Sequence, residues 1–394
     1  MSTNLKICYV RDQKPHATAV YRVYYPSSAL EANGAVIGYV PFVHYDIYGE
    51  IDDPLILDAD VVVFGQIIYG EQLTSNTRQK LTTIDVIADL HKLGKAIAYD
   101  CDDLYFDLPA HASVIHKKSN LKMTTAVIQA ADIVTVVSPY LGRMVQKHTG
   151  ISKDKIIYIP NMIPYHFLES LYKKHERSRR AKKKEGITRI GLMGALNHMK
   201  DWNDMVPVLE EVKEKYGDKV QFEVLGIKRS DINIIDKMVM AKKMTQEFAD
   251  NLKELVPKLD ALDFKYCGKL IGLDNFYDGM MKLGWDVGLA TLTNDHTDKS
   301  KSFLKWLDYS MAHIAGVYRG ISPFTDAITD TQGGYLANSH KEWVQAISMM
   351  IDFPEARQIM LTNAMQDIEF DYNIETGWKQ WRDAFQQAIY NKKS

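Results

Sequence analysis

SKSFLKWLDYSMAHIAG, the stretch Ser300–Gly316, carries the pattern that decides how the chain folds. Its apolar residues recur at helical spacing, so we predict one amphipathic helix. Lys301 and Lys305 are four residues apart and would share one face of that helix. Two cations beside a helix N-terminus, with its free amides and positive dipole end, are suited to an anion. Asp308 follows one turn later and could hold vicinal hydroxyls, so a diphosphate with a ribose fits the pattern.

The composition is that of an ordinary globular protein with two domains. The chain has 394 residues, of which 46% are hydrophobic and 25% charged, and this length exceeds one ordinary core. A net charge of −2 does not by itself imply a polyanionic partner. Three scattered cysteines in apolar runs indicate reduced thiols and a cytoplasmic protein. No leader peptide or run of about 18 apolar residues is present, so we predict no integral membrane segment.

Short apolar runs alternate with helical patterns along the chain, which predicts an α/β fold with parallel sheets. The alternation stops at Pro160–Pro164, and it restarts at Thr188 after a basic run at 173–184. We therefore predict two Rossmann-like domains that face each other across a ligand-binding cleft. The predicted parts are an N-terminal domain at 1–165, a basic linker at 166–186, a C-terminal domain at 187–370, and a terminal helix at 371–394 that packs back.

A family resemblance begins in the same stretch. Lys301-Ser302-x-x-Lys305-x-Leu307-Asp308-Tyr309 resembles the Lys-Ser-x-x-Lys-x-Leu-Glu-Tyr signature of retaining glycosyltransferases with the two-domain GT-B fold, a group that includes bacterial and phage enzymes. Further family elements follow in order, namely an Ala-x-Gly, a Pro-aromatic loop, a Gly-Tyr-Leu strand and a Glu-Trp helix. Their counterparts are Ala315-Gly316, Pro323-Phe324, Gly334–Leu336 and Glu342-Trp343.

The resemblance implies roles for the donor side of the cleft. Lys301, Ser302 and Lys305 would bind the donor diphosphate, and Asp308 would bind the ribose hydroxyls. The family usually has Glu at position 308, and it often has a second Glu where this chain has Ser300.

The first loop of the predicted C-terminal domain adds further donor-binding candidates. A strand runs into a glycine pair there, and in the family this loop lies beside the diphosphate. The candidates are Gly194, Asn197 and Lys200. A glycine lets the backbone approach a phosphate closely, but it fits a plain tight turn equally well.

Three carboxylates lie within four residues where the strand Ala96–Tyr99 ends. Such a cluster can orient an acceptor hydroxyl, bind a cation or raise the pKa of its members, and the alternative is a loop that caps the next helix. The same glycosyltransferase group has a similar acidic run. We take Asp102 and Asp103, together with Lys305, as catalytic candidates, and Asp100 and Asp102 as acceptor-binding candidates. No histidine and cysteine spacing fits a metal site, and we predict no required metal or other cofactor.

Two further residues complete the predicted acceptor site. Arg22 belongs to a Tyr-Arg pair that the group often carries inside its first helix, and an ordinary surface cation is its alternative. His111 lies past the acidic loop, where it could line an acceptor groove.

Together these features predict a retaining glycosyltransferase, either hexosyl or pentosyl, with a nucleotide-diphosphate-sugar such as a UDP-sugar as co-substrate. The acceptor would be a glycan or lipid-linked sugar, or hydroxymethylated double-stranded DNA in the host cytoplasm if the chain is phage-encoded. The basic run is either a solvated segment or a contact for a polyanionic acceptor. A non-catalytic nucleotide-sugar-binding or scaffold protein is the alternative, because Ser300 and Asp308 replace Glu. The oligomeric state stays open.

Overall fold

Two parallel six-stranded sheets, one in each half of the chain, form the framework of the protein. The structure is a computed structural model, which describes residues 4–11, 19–65, 72–73, 80–106, 118–182, 186–194, 199–240, 246–268 and 275–393. The arrangement confirms the predicted α/β fold with two Rossmann-like domains.

The N-terminal sheet consists of short apolar strands. In chain order the strands are β1 (Lys6–Val10), β2 (Val36–Val40), β3 (Val61–Phe64), β4 (Gln72–Leu73), β5 (Lys80–Leu81), β6 (Ala96–Cys101), β7 (Ile133–Val136) and β8 (Ile156–Tyr158). β4 and β5 pair by themselves as a small antiparallel sheet, and the other strands follow the order β2-β1-β3-β6-β7-β8. β3, β6 and β7 are buried along their whole length, as expected for a parallel sheet covered on both faces.

Helices surround this sheet. They are a π-helical turn at Val20–Tyr24, α1 (Tyr25–Ala32), α2 (Pro54–Asp58), α3 (Thr83–Lys92), α4 (Lys118–Ala130), α5 (Pro139–Thr149) and α6 (Tyr165–Lys182). Local signals explain where two of them begin. Thr82 and Asp85 form a capping box at α3, and Ser138 caps α5, whose first residue is proline.

The C-terminal sheet follows the order β11-β10-β9-β12-β13-β14. Its strands are β9 (Thr188–Met193), β10 (Val220–Leu225), β11 (Lys265–Tyr266), β12 (Val287–Ala290), β13 (Ala315–Arg319) and β14 (Tyr335–Ala337). The chain order reverses between β9 and β12. In open sheets of this kind, ligands bind beside the carboxyl ends of the strands at such a reversal.

The helices of the second domain are numbered on from the first. They are α7 (Met199–Tyr216), α8 (Ile235–Met240), α9 (Gln246–Ala261), α10 (Phe276–Leu283), α11 (His296–Ser300), α12 (Leu304–Met311), α13 (His340–Asp352) and α14 (Pro354–Asp371).

The segment predicted as a basic linker is instead mostly the helix α6. Leu168 is buried in the core of the second domain, and Leu171 and Tyr172 pack against the same core. The three residues follow the spacing i, i+3 and i+4, which forms an apolar stripe on one side of a helix. The many charges that follow this stripe hide it in the sequence.

The last helix, α15 (Ile374–Lys393), packs back on the N-terminal sheet, as predicted. Trp381 and Phe385 are buried against Tyr9 of β1 and its neighbours. Ile163 bonds to the backbone where this helix begins. Its amide donates to the Tyr372 carbonyl and its carbonyl accepts from the Ile374 amide, both at 2.9 Å. Within the described ranges, no helix is long and apolar enough to cross a membrane.

Candidate active site

The stretch predicted as one helix contains only the end of α11, the linking residues Lys301–Phe303, the helix α12 and the start of β13. Lys301 ends α11 in an extended conformation, and Lys305 lies in the first turn of α12. The prediction that the two lysines share one helix face is therefore wrong. The break has a packing reason, because the buried Phe303 ring turns inward against Trp306 and Tyr372.

Lys301 forms a tight ion pair with Asp298, a buried carboxylate that sequence reasoning missed. Thr293 holds the second oxygen of Asp298 through its amide at 2.6 Å and its hydroxyl at 2.7 Å. Burial alone would raise the pKa of Asp298, but Lys301 and Thr293 more than offset it, and the pKa is lowered. Burial likewise opposes the charge of Lys301, whereas Asp298 and its neighbours hold the pKa of Lys301 above its ordinary value. Both groups are thus fixed in their charged forms.

Lys305 differs from Lys301 in having no hydrogen-bond partner among the residues that the structure describes. Its ammonium group is buried, and none of the described residues accepts a hydrogen bond from it. Burial lowers the pKa of Lys305 to about 8, and the nearby charge of Lys301 acts in the same direction. An unpaired ammonium in such a place is energetically unfavourable unless a ligand compensates it.

Asp201, in the first turn of α7, faces the two lysines and was also missed. It is 5% exposed, and burial, with the charge of Asp298, raises its pKa to about 8. Burial therefore disfavours the ionised form of Asp201, the carboxylate that would otherwise help to offset the charge of Lys305. No sequence pattern singles out Asp201, because an acid in the first turn of a helix usually stabilises the helix dipole.

Gly194 lies at the carboxyl end of β9, where the strand order of the C-terminal sheet reverses. Its amide donates to Leu225 at 3.1 Å. Gly226 makes this approach possible, since a Cβ atom there would lie 1.7 Å from the carbonyl oxygen of Gly194, and its φ is +124°. Lys200 is exposed on α7, and Asn197 lies outside the described residues.

Asp308 is buried and bonded to two tyrosines. Its Oδ1 atom accepts hydrogen bonds from Tyr21 at 3.0 Å and from Tyr277 at 2.7 Å. Burial raises the pKa of Asp308 to about 7, while the two hydroxyls and Lys305 act against that rise. Neither tyrosine was predicted as a site residue, because only the folded chain brings Tyr21 of the first domain to Tyr277 of the second.

The acidic loop after β6 places its carboxylates in different surroundings. Asp103 keeps an exposed surface, but the protein around its carboxyl group excludes enough water to raise its pKa, and Lys301 of the other domain opposes that rise. Asp103 therefore faces the lysine cluster across the cleft. Asp102 lies beside Tyr105, whose pKa is raised by burial and then by the Asp102 charge. His111 lies outside the described residues.

Arg22 and Asp100 lie against each other in a buried ion pair. Nη2 of Arg22 is 2.7 Å from Oδ1 of Asp100, and Nη1 donates to the Ile159 carbonyl at 2.6 Å. Thr135 donates to the same carboxylate at 2.5 Å, and the guanidinium lies 4.5 Å from the centre of the Trp381 ring. Arg22 is 1% exposed and Asp100 8% exposed, so the structure brings these two acceptor candidates together inside the protein.

Residues 295–308, which we call the cleft segment, also receive the contacts of the first domain. Among the hydrogen bonds between described residues, we consider four that cross from the first domain to this segment. They join Tyr140 to the His296 ring at 2.5 Å, Ser138 to the Ser300 carbonyl at 3.0 Å, Asn161 to the Ser302 hydroxyl at 3.0 Å, and Tyr21 to Asp308 at 3.0 Å. Four of the predicted donor residues, Lys301, Ser302, Lys305 and Asp308, therefore lie on a segment that both domains contact.

Solved structures of similar shape extend over nearly the whole chain. Anabaena HepE (Alr3699), solved in complex with UDP, is 13% identical with a TM-score of 0.63, covering 97% of this chain and 100% of its own. A glycosyltransferase from Rickettsia africae is 11% identical with a TM-score of 0.63, covering 98% and 99%. The fold is GT-B. At such identities the likeness establishes this fold alone.

A third GT-B structure, a UDP-forming trehalose-phosphate synthase from Burkholderia xenovorans, is 10% identical with a TM-score of 0.62, covering 97% of this chain and 98% of its own. No protein-family model and no curated protein matches the sequence. Among the described residues, no group of three or more His, Cys, Asp or Glu side chains could hold a metal ion.

Proposed function

We propose that the protein is a glycosyltransferase that moves a sugar from a UDP-sugar to an acceptor hydroxyl, with retention of configuration. The observation that carries this proposal is the buried ammonium of Lys305, which has no hydrogen-bond partner among the described residues and lies by the strand reversal of a GT-B domain. UDP is the nucleotide we favour, because HepE of the same fold was solved with UDP and with UDP-glucose.

On the donor side, Lys305 would contact the diphosphate directly, and Lys301 would add its charge from the pair with Asp298. Negative charge grows on the diphosphate as the sugar leaves. A cation already in place stabilises that charge in the transition state, and such contacts are usually worth about 10²–10³ in rate. Ser302, Gly194 and Lys200 would line the phosphates, and the assignment of Asn197 stays a prediction.

At the other end of the donor, Asp308 would accept a ribose hydroxyl through Oδ2. Its Oδ1 atom already accepts two tyrosine hydroxyls. Among the described residues, no donor contacts Oδ2, so this atom is the one left for a ligand.

On the acceptor side, Asp103 is the residue we favour for orienting the attacking hydroxyl. It is exposed, and the charges of Lys301 and Asp298 act on it from across the cleft. We assign Arg22 and Asp100 a structural role, because they form a buried ion pair in which each neutralises the charge of the other. Asp102 would support the loop, and His111 stays a prediction. The acceptor is a glycan, a lipid-linked sugar or hydroxymethylated DNA.

One observation favours a second candidate, a nucleotide-sugar-binding protein without transfer activity. Ser300 stands where related enzymes often have Glu, and its hydroxyl donates to the His296 carbonyl at 2.7 Å. This hydroxyl is thus used inside α11 rather than offered to a sugar. Release of UDP from a UDP-sugar at a rate that depends on an acceptor would exclude this candidate.

The test combines binding with turnover. Calorimetry with UDP, GDP and ADP should show the tightest binding for UDP, and mass spectrometry should detect transfer from the matching sugar to an acceptor panel. Lys305→Ala should abolish UDP binding in the calorimeter and slow transfer about 10²–10³-fold. Lys299→Ala, which removes a partly exposed lysine two residues before Lys301, should preserve both. Unchanged UDP binding in Lys305→Ala would exclude the proposed site.

A further inference from the structure

The two hydroxyls on Asp308 come from different domains. Tyr21 belongs to the π-helical turn before α1, and Tyr277 belongs to α10. Both donate to the same oxygen, and their hydroxyl oxygens lie 3.3 Å apart. One carboxylate oxygen thus joins the acceptor domain to the donor domain at the place proposed for the ribose.

Tyr21 is held rigidly on its own side. Arg22, the next residue, is locked to Asp100 and to the Ile159 carbonyl. Tyr25 packs edge-on against the Tyr21 ring, with 5.6 Å between ring centres. The turn itself is π-helical, a conformation found mostly in single turns and frequently at functional sites. Because these contacts tie the turn to the first domain, the bond from Tyr21 to Asp308 depends on the arrangement of the two domains.

Three further hydrogen bonds from the first domain to the cleft segment add to the contact between the domains. Tyr140, Ser138 and Asn161 also reach the cleft segment, at positions before and after Lys301. Tyr21 is the one among these four that bonds to the side chain of a proposed donor-binding carboxylate. Separation of the domains would therefore release Asp308 Oδ1 from one of its two donors.

We propose that Tyr21 is a positioning residue of the donor site: it holds Asp308 Oδ1 from the first domain, so that Oδ2 is presented to the donor ribose only in the closed protein. This inference rests on the proposed binding of a nucleotide-diphosphate-sugar. It makes the nucleotide affinity of the second domain depend on a residue of the first.

A matched pair of variants tests the proposal. Tyr21→Phe and Tyr277→Phe each remove one hydroxyl from the same oxygen, but only the first removes the bond that joins Asp308 to the first domain. Both should weaken UDP binding about tenfold, the scale of one hydrogen bond to a charged group. Only Tyr21→Phe should increase the radius of gyration of the nucleotide-free protein in X-ray scattering. Tyr25→Phe, in the same helical region, should change neither quantity.

A pH profile separates positioning from simple loss of structure. The two hydroxyls stabilise the ionised form of Asp308, so either variant should raise the pKa of that group and move the acidic limb of UDP binding to higher pH. A merely loosened fold would lower affinity at every pH without moving that limb.

Hydrogen exchange of the unaltered protein gives a readout that needs no variant. UDP should protect the amides of residues 19–25 together with those of the cleft segment. Protection confined to the second domain would overturn the coupling, as would Tyr21→Phe and Tyr277→Phe proteins with equal radii of gyration. If the wild type binds UDP and the Tyr21→Phe variant binds it with the same affinity, this inference alone is overturned. Absence of any nucleotide binding in the wild type would overturn the proposed function as well.

Discussion

Each domain buries charged groups beside the carboxyl ends of its strands, and the two clusters are built differently. In the first domain, Arg22 and Asp100 neutralise each other, Thr135 donates a further hydrogen bond to the carboxylate, and the Ile159 carbonyl accepts one from the guanidinium. In the second domain, Lys301 is paired with Asp298, but Lys305 has no acceptor among the described residues.

This difference in pairing distinguishes charged groups that stabilise the fold from charged groups that bind a ligand. A buried ion pair with its hydrogen bonds made is stable as a unit, although removal of one partner is costly. A buried ammonium without a partner is unfavourable for folding, and proteins retain such groups mainly where function requires them. We infer that the Arg22–Asp100 pair stabilises the first helix of the N-terminal domain. The cluster around Lys305 is suited to bind an anionic ligand.

The largest expected effect is on stability, in the first cluster. Asp100→Ala leaves Arg22 buried and unpaired, and the free energy of unfolding should fall by about 3–5 kcal/mol. Chemical denaturation followed by circular dichroism measures this change. The double variant Arg22→Met with Asp100→Leu, which removes both charges, should recover much of the loss. A loss below about 1 kcal/mol in the single variant, the scale of an exposed pair, would contradict the account.

The second effect is on catalysis, in the other cluster. Lys305→Ala should slow sugar transfer about 10²–10³-fold, because the leaving diphosphate loses a cation already in place. Its thermal unfolding should stay cooperative. Turnover close to that of the wild type would show that the ammonium has another purpose.

The third effect is a pH dependence that the first cluster should not share. Lys305 loses its proton near pH 8, since its pKa is lowered to about 8, and Asp201 with a pKa of about 8 becomes negative in the same range. Both changes remove positive charge, so UDP affinity should fall as the pH rises above about 8. Calorimetry at a series of pH values from about 7 to about 9.5, which bracket this transition, measures the fall in UDP affinity.

Lys305→Arg is the matched control for this pH dependence. An arginine keeps its proton throughout that range, so the part of the fall that comes from Lys305 should disappear. An affinity for UDP that is independent of pH in the wild type would contradict the assignment.

The smallest effect distinguishes two neighbouring acids. Asp103→Asn should slow transfer about tenfold, the scale of one hydrogen bond to a charged group, while UDP affinity stays close to that of the wild type. Asp102→Asn should change transfer much less, because Asp102 lies beside Tyr105 rather than opposite Lys301. Steady-state kinetics with saturating donor compares the two variants. Equal losses in both would remove the distinction.

Sequence reasoning predicted the sheets well, because a buried parallel strand is a continuous apolar run. The apolar runs predict strands at Thr188–Met193, Val220–Leu225 and Val287–Ala290, and β9, β10 and β12 have these same bounds. Helix α9 was missed, although Leu252, Leu255, Val256 and Leu259 follow helical spacing, and all are buried. That signal was present and could have been found.

The site was harder to predict, since its partners are distant in sequence. Lys301, Lys305 and Asp308 are close together in the chain, and the family signature singled them out. Tyr21 and Asp308 are 287 residues apart in the sequence, and no local sequence pattern predicts their contact. Arg22 was predicted toward the acceptor, but a sequence cannot tell whether a cation faces a cleft or a buried carboxylate. The helix predicted over Ser300–Gly316 failed because periodicity does not show where Phe303 turns inward.

The most direct test of the comparison is Lys305→Met, measured for both unfolding and UDP binding. Methionine keeps an unbranched apolar stem and removes only the charged end. If the charge serves a ligand, the free energy of unfolding should equal or exceed that of the wild type, while UDP binding is lost. A protein destabilised by about 3 kcal/mol or more, the cost of breaking a buried pair, that still binds UDP would contradict the account.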